Sequence, residues 1–100
     1  MSQKKIENEY DYLVARAEAE TNKAREILVE ARSRNDYYQE KIAAKLVDFC
    51  EAEEKSIRLF AEAKLYYPDL GDLIEKRWPH FRAFGDEARL QLGEIEHGAN

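Results

Sequence analysis

Glu94 and His97 stand three residues apart, a spacing that sets a carboxylate and an imidazole on one helical face. Two such motifs and two further glutamates would build a carboxylate-bridged metal centre, and this chain has only the one. Counted back from a turn at Pro68, Glu94 falls level with residue 42, far from the Glu53-Glu54 pair. No metal and no cofactor are therefore expected. His80 and His97 lack a nucleophile nearby in sequence, and Cys50 follows Phe49 on an apolar helical face, where a buried thiol is inert. The phosphate-cradling glycine loop and the Gly-x-Ser-x-Gly elbow are missing. With no catalytic residue to name, the chain is expected not to be an enzyme.

Binding chemistry is better represented. Lys76, Arg77, Trp78, His80 and Arg82 form a basic and aromatic cluster that continues to Phe84 in an otherwise acidic chain. Cations interleaved with rings suit an anionic ligand or a nucleic acid, charge giving attraction and rings giving stacking area. Nucleic-acid binders show a wider basic face, and here Phe81 and Phe84 fall on core spacing, so that ligand class stays the alternative reading. Polar residues interrupt the apolar seams at Glu20, Glu53, Ser56 and Arg77, a device that sets register or oligomeric state. In a hairpin turning at Pro68, Arg77 is level with residue 59, which leaves two readings: a Glu53–Arg77 contact, or a bundle that splays there and lets these groups reach water. Tyr10, Tyr66 and Tyr67 gather at one end of the same arrangement and suit an interface, having an apolar body and a polar tip.

The elements that must position these groups are helices. Met1 to Tyr67 contain no glycine and no proline, and all six such residues fall at positions 68, 71, 79, 85, 93 and 98. Nothing in that first stretch forces the backbone out of the α region. Ile6, Tyr10, Leu13, Ala17, Ala24, Ile27 and Ala31 keep heptad spacing. A second seam runs through Ile42, Leu46, Phe49, Phe60, Ala63 and Tyr67, flanked by Ala43, Val47, Cys50 and Ile57. A third runs through Leu70, Ile74, Phe81, Phe84, Ala88, Leu92 and Ile95.

Extending the first seam past Ala31 lands on Arg34, Tyr38 and Lys41, so the register changes there. A turn at residues 33–36, with Asp36 and Gln39 as a capping box, predicts helices over roughly 3–33, 36–67 and 69–96. The last is expected to kink or break near 78–79, because Pro79 removes a hydrogen bond and crowds the preceding turn. This is an all-α, antiparallel three-helix bundle in one domain of residues 1–100. The alternative is a dimeric two-helix hairpin whose first helix runs unbroken for ~65 residues, or ~95 Å.

Composition agrees with a helical surface. Charged residues make up 37% of the chain and the net charge is −5, with both signs interspersed. Glu30–Arg34, Glu51–Lys55, Glu54–Arg58 and Asp72–Lys76 are acid-before-base pairs at i,i+4. No apolar run reaches the ~18 residues of a membrane span, and residues 2–7 lack the apolar core of a signal peptide. With one cysteine, the expected setting is a reducing, cytoplasmic one. The expected function is a non-enzymatic protein–protein interaction module, adaptor or homo-oligomer, with self-association as the leading mode.

Overall fold

The computed structural model describes residues 9–98, with side chains for residues 10–91. Its regular structure is helical throughout: α1 spans Glu9–Ser33, α2 Tyr37–Tyr66, α3 Pro68–Arg77 and α4 Pro79–Gly98. The chain is all-α. Among the described residues there are four helices where three rods were expected.

Each break has a local cause. At the end of α1 the Asp36 N–H donates to the Ala31 carbonyl at 3.2 Å and the Asn35 N–H to that of Arg32 at 3.1 Å. That pair of bonds is a Schellman turn, and it places Asn35 at φ 56°, a left-handed conformation asparagine tolerates. The Asp36 carboxylate then accepts from the Gln39 N–H at 3.1 Å and caps α2. The unbroken ~65-residue helix is thereby corrected, because the chain reverses direction between Ser33 and Tyr37.

The other two breaks are set by proline. Proline pushes its predecessor out of the α region, and Tyr67 (φ −136°, ψ 67°) and Trp78 (φ −128°, ψ 89°) both lie outside it. Pro68 and Pro79 then open the next helices, where a missing N–H costs nothing.

Packing divides the α1–α2 hairpin into two halves. In the half near Tyr67, Tyr10, Leu13, Ala17, Ile57, Phe60 and Ala88 form a buried cluster, with Ile74, Phe81 and Phe84 against it. α3 lies on α2 so closely that a Cβ on Gly71 would fall 2.5 Å from Lys64 Cδ and 3.1 Å from Lys64 Cα. The Lys64 ammonium reaches Glu75 at 2.8 Å and Asp72 at 3.2 Å. Burial alone would lower its pKa, but those two carboxylates outweigh the desolvation and hold it above the ordinary lysine value.

The other half of the hairpin is only two helices deep. Ala24 and Ala31 of α1 and Ala43 and Val47 of α2 are buried there, small side chains that let two helices approach. α4 does not extend over this half. It meets α1 at Arg16–Glu87 and again where the Arg89 guanidinium donates to the Tyr10 hydroxyl at 3.5 Å. Contacts that move towards the start of α1 as α4 proceeds carry α4 away from the α1–α2 turn. The expectation that Glu94 would sit level with residue 42 is corrected by this reversal at Trp78-Pro79. The outline, 47 × 36 × 19 Å, is accordingly flat.

The reversal also explains a misplaced seam. Ile42 (46% exposed), Leu46 (39%) and Phe49 (66%) were expected in the core, yet α2 turns Ala43, Val47 and Ile57 inward instead. Cys50, expected to be buried, is half-buried on the margin of that stripe.

Candidate functional site

Where α2 emerges from beneath α3 and α4, its exposed apolar stripe becomes one wall of a groove of about 540 Å³. Phe49, Ala52, Glu53, Ser56 and Leu59 form that wall, and Phe60 closes the floor. Ile74, Trp78, His80, Phe81 and Phe84 form the other, so the lining is largely apolar and strongly aromatic. Both walls are consequences of the breaks already described. Pro79 turns α4 across the hairpin, which leaves Trp78 half-exposed at the corner and brings Phe81 down onto Phe60.

The aromatic side chains of the inner wall pack on one another. Phe60 and Phe81 lie 5.0 Å apart between centroids, and Phe81 meets Phe84 edge-on at 5.5 Å and 85°. His80 sits 4.5 Å from Phe81 and edge-on to Phe84 at 5.9 Å. On the far side of Phe60, Tyr10 makes a T-shaped contact at 5.7 Å. Such edge-to-face pairs add about 0.5–1.5 kcal/mol beyond area burial.

Charges around the groove are unequally engaged. Arg16 bonds Glu87 and lies 5.7 Å over the Phe84 ring, and its pKa is raised because Glu87 outweighs its burial. Glu54 is held below the ordinary carboxylate range by the Thr21 hydroxyl first and by Arg58 second. Glu53, one residue earlier, makes no hydrogen bond or ion pair among the described residues. The Cys50 thiol is pushed up by burial first and then by the negative charge of Glu20 and Glu53. A thiol held in its neutral form is a poor nucleophile.

The expected site residues separate on this scaffold. In the basic cluster, Trp78 and His80 line the groove, while Lys76 and Arg82 line a second depression shared with Asp72 and Glu75. Arg77 is exposed and stacks over Trp78 at 6.0 Å, so of the two readings the Glu53–Arg77 contact is the one that does not form. None of the three cations of the cluster lines the groove. Of the seam polar groups, Glu20 and Ser56 are exposed and Glu53 is half-buried. Tyr10 is core at 3% exposed, and Tyr66 and Tyr67 face solvent at the hairpin end. The Glu94 and His97 side chains lie outside the described residues. Among those described, no three His, Cys, Asp or Glu side chains cluster as metal ligands would.

Ile42, Leu46 and Phe49 as surface residues escaped the sequence reading. Their heptad spacing is that of a core seam; the competing signal was the small-residue row Ala43, Val47 matched by Ala24 and Ala31 in α1. No match is found among protein-family models, curated proteins or solved structures. No described helix is long and apolar enough to cross a membrane.

Proposed function

We propose that this chain is a non-enzymatic docking module, an adaptor or homo-oligomeric protein that buries the groove and the adjoining α2 stripe against another polypeptide. Its architecture reads as an antiparallel bundle in which α3 and α4 take the place of a third rod over one half of the hairpin only. The observation that carries the proposal is a continuous apolar surface from Ile42 through Leu46 and Phe49 to Trp78, left uncovered by the chain itself. The largest apolar patch on a folded monomer is often a functional one. The far side of α2 is built differently. Glu51 and Arg58, about half a helical turn from Phe49, bond Arg25 at 2.8 Å and Glu18 at 2.7 Å across the hairpin. Front and back are thus apolar and ion-paired.

Site-directed photo-crosslinking tests the reading. A benzophenone side chain at position 49 is expected to give discrete protein adducts in cells, and one at position 51 none. Equal labelling from both faces, or none from position 49, would refute docking through this surface. The nucleic-acid reading predicts instead salt-sensitive oligonucleotide binding that is lost in Arg77→Ala plus Arg82→Ala.

A further inference from the structure

We propose that the occupant of this surface is a second copy of the chain, laid antiparallel across α2 on a two-fold axis near Phe49. The inference rests on the docking reading above and adds the identity and orientation of the partner.

The first argument is charge. The stripe is apolar at its centre and oppositely charged at its ends. Towards the α1–α2 turn it carries Lys41 and Lys45, both exposed and without an ion pair or hydrogen bond among the described residues. Towards the groove it carries Glu53, a groove-lining side chain likewise unpaired among the described residues, and Glu20 is exposed on the neighbouring α1. Lys45 and Glu53 lie four residues to either side of Phe49, about 6 Å along the helix in each direction. A two-fold axis through that point brings the lysine end of each copy over the acidic end of the other. The parallel arrangement sets like on like. An unrelated helix would have to carry the inverse pattern, whereas a second copy carries it by symmetry.

The second argument is area. Ile27, Ile42, Leu46, Phe49, Leu59 and Trp78 are 39–66% exposed. At roughly 200 Å² a side chain they present on the order of 600 Å² of apolar surface. With a polar rim, that approaches the ~800 Å² each partner contributes to a standard interface. Two copies so placed form a four-helix layer of α1, α2 and their symmetry mates, covering the half of the hairpin that α4 leaves open.

Complementary charge reversal decides the matter. One variant, Lys41→Glu with Lys45→Glu, makes the stripe acidic at both ends; the other, Glu20→Lys with Glu53→Lys, makes it basic at both. Lys41, Lys45 and Glu20 are exposed and Glu53 is half-buried at the groove, so helicity and urea unfolding of each variant are compared with the wild type to confirm that it is folded. In sedimentation equilibrium the wild type is expected to dimerise and each variant alone to associate roughly 100-fold more weakly. Mixing the two variants should restore a 1:1 dimer. A wild type that stays monomeric overturns the proposal, and if position 49 still crosslinks another protein the docking reading stands without it. A dimer indifferent to either reversal, or variants that fail to pair on mixing, also overturns it.

Discussion

Replacing Phe49 with alanine separates docking from folding. Phe49 is 66% exposed, so of the ~200 Å² of an aromatic side chain about 130 Å² is left for a partner. At ~25 cal/mol per Å² that is worth about 3 kcal/mol per copy, so a single ring buried on a different partner is worth roughly 100-fold in Kd and the two rings of a two-fold dimer about 6 kcal/mol, on the order of 10⁴-fold. The part already covered within the chain is about 70 Å², less than 2 kcal/mol, and alanine regains some of it through its higher helix propensity. Phe60, 1% exposed at the floor of the same groove, is the control. Its truncation should cost about 3–5 kcal/mol of folding. Sedimentation equilibrium reads association, and urea unfolding of dilute, dissociated protein reads stability, since a dimer's apparent stability depends on concentration. If Phe49→Ala lowers the unfolding midpoint as far as Phe60→Ala and leaves association unchanged, Phe49 is a core residue and the surface described here is wrong.

Further substitutions probe the scaffold. Gly71→Ala should destabilise by about 1–3 kcal/mol despite the better helix propensity, because Lys64 Cδ can move away but Lys64 Cα, 3.1 Å from the new Cβ, cannot; a higher urea midpoint would contradict the close approach of α3 to α2. Lys64→Met leaves Glu75, whose side chain is 15% exposed, without its 2.8 Å partner, and should cost about 1–3 kcal/mol with faster amide exchange confined to α3. Glu54 has a folded pKa below its ordinary value, so the stability it confers is complete above about pH 4.3 and is lost as pH falls through the lower folded value. Glu54→Gln should therefore destabilise at neutral pH and progressively less as pH falls below about 4.3, as read by acid unfolding, and a loss that does not shrink with falling pH would contradict the pairing. Asn35→Gly should be neutral or stabilising and Asn35→Ala destabilising by about 1 kcal/mol, because only the first relieves a positive φ; thermal melts compare them.

Local information was enough for the helices and their ends. The chemistry that sets each boundary sits within four residues of it: Asp36 capping Gln39, Asn35 in the left-handed region, and two prolines that each displace one predecessor. Of the i,i+4 ion pairs read from spacing, Glu30–Arg34 and Glu54–Arg58 form at 3.3 and 2.9 Å. Glu51 and Asp72 choose partners across helices instead, Arg25 and Lys64. A sequence shows which charges can meet along one helix, and only packing shows which meet between two.

The apolar period likewise told which residues of α2 share a face, but not which face would be covered. Two stripes compete there: Ile42, Leu46 and Phe49, and beside it Ala43, Val47 and Ile57. Periodicity favours the bulkier one. Close approach of two helices favours the smaller, and with α1 alone for a neighbour the small side chains win the interior. That choice follows from the reversal at Trp78-Pro79. Proline dictated that a break would occur, but the direction of α4 after it depends on Phe81 and Phe84 docking on Phe60 and on Glu87 meeting Arg16, residues more than sixty positions away in the second case. The groove exists because of that long-range packing, so its residues were legible as helix and illegible as surface.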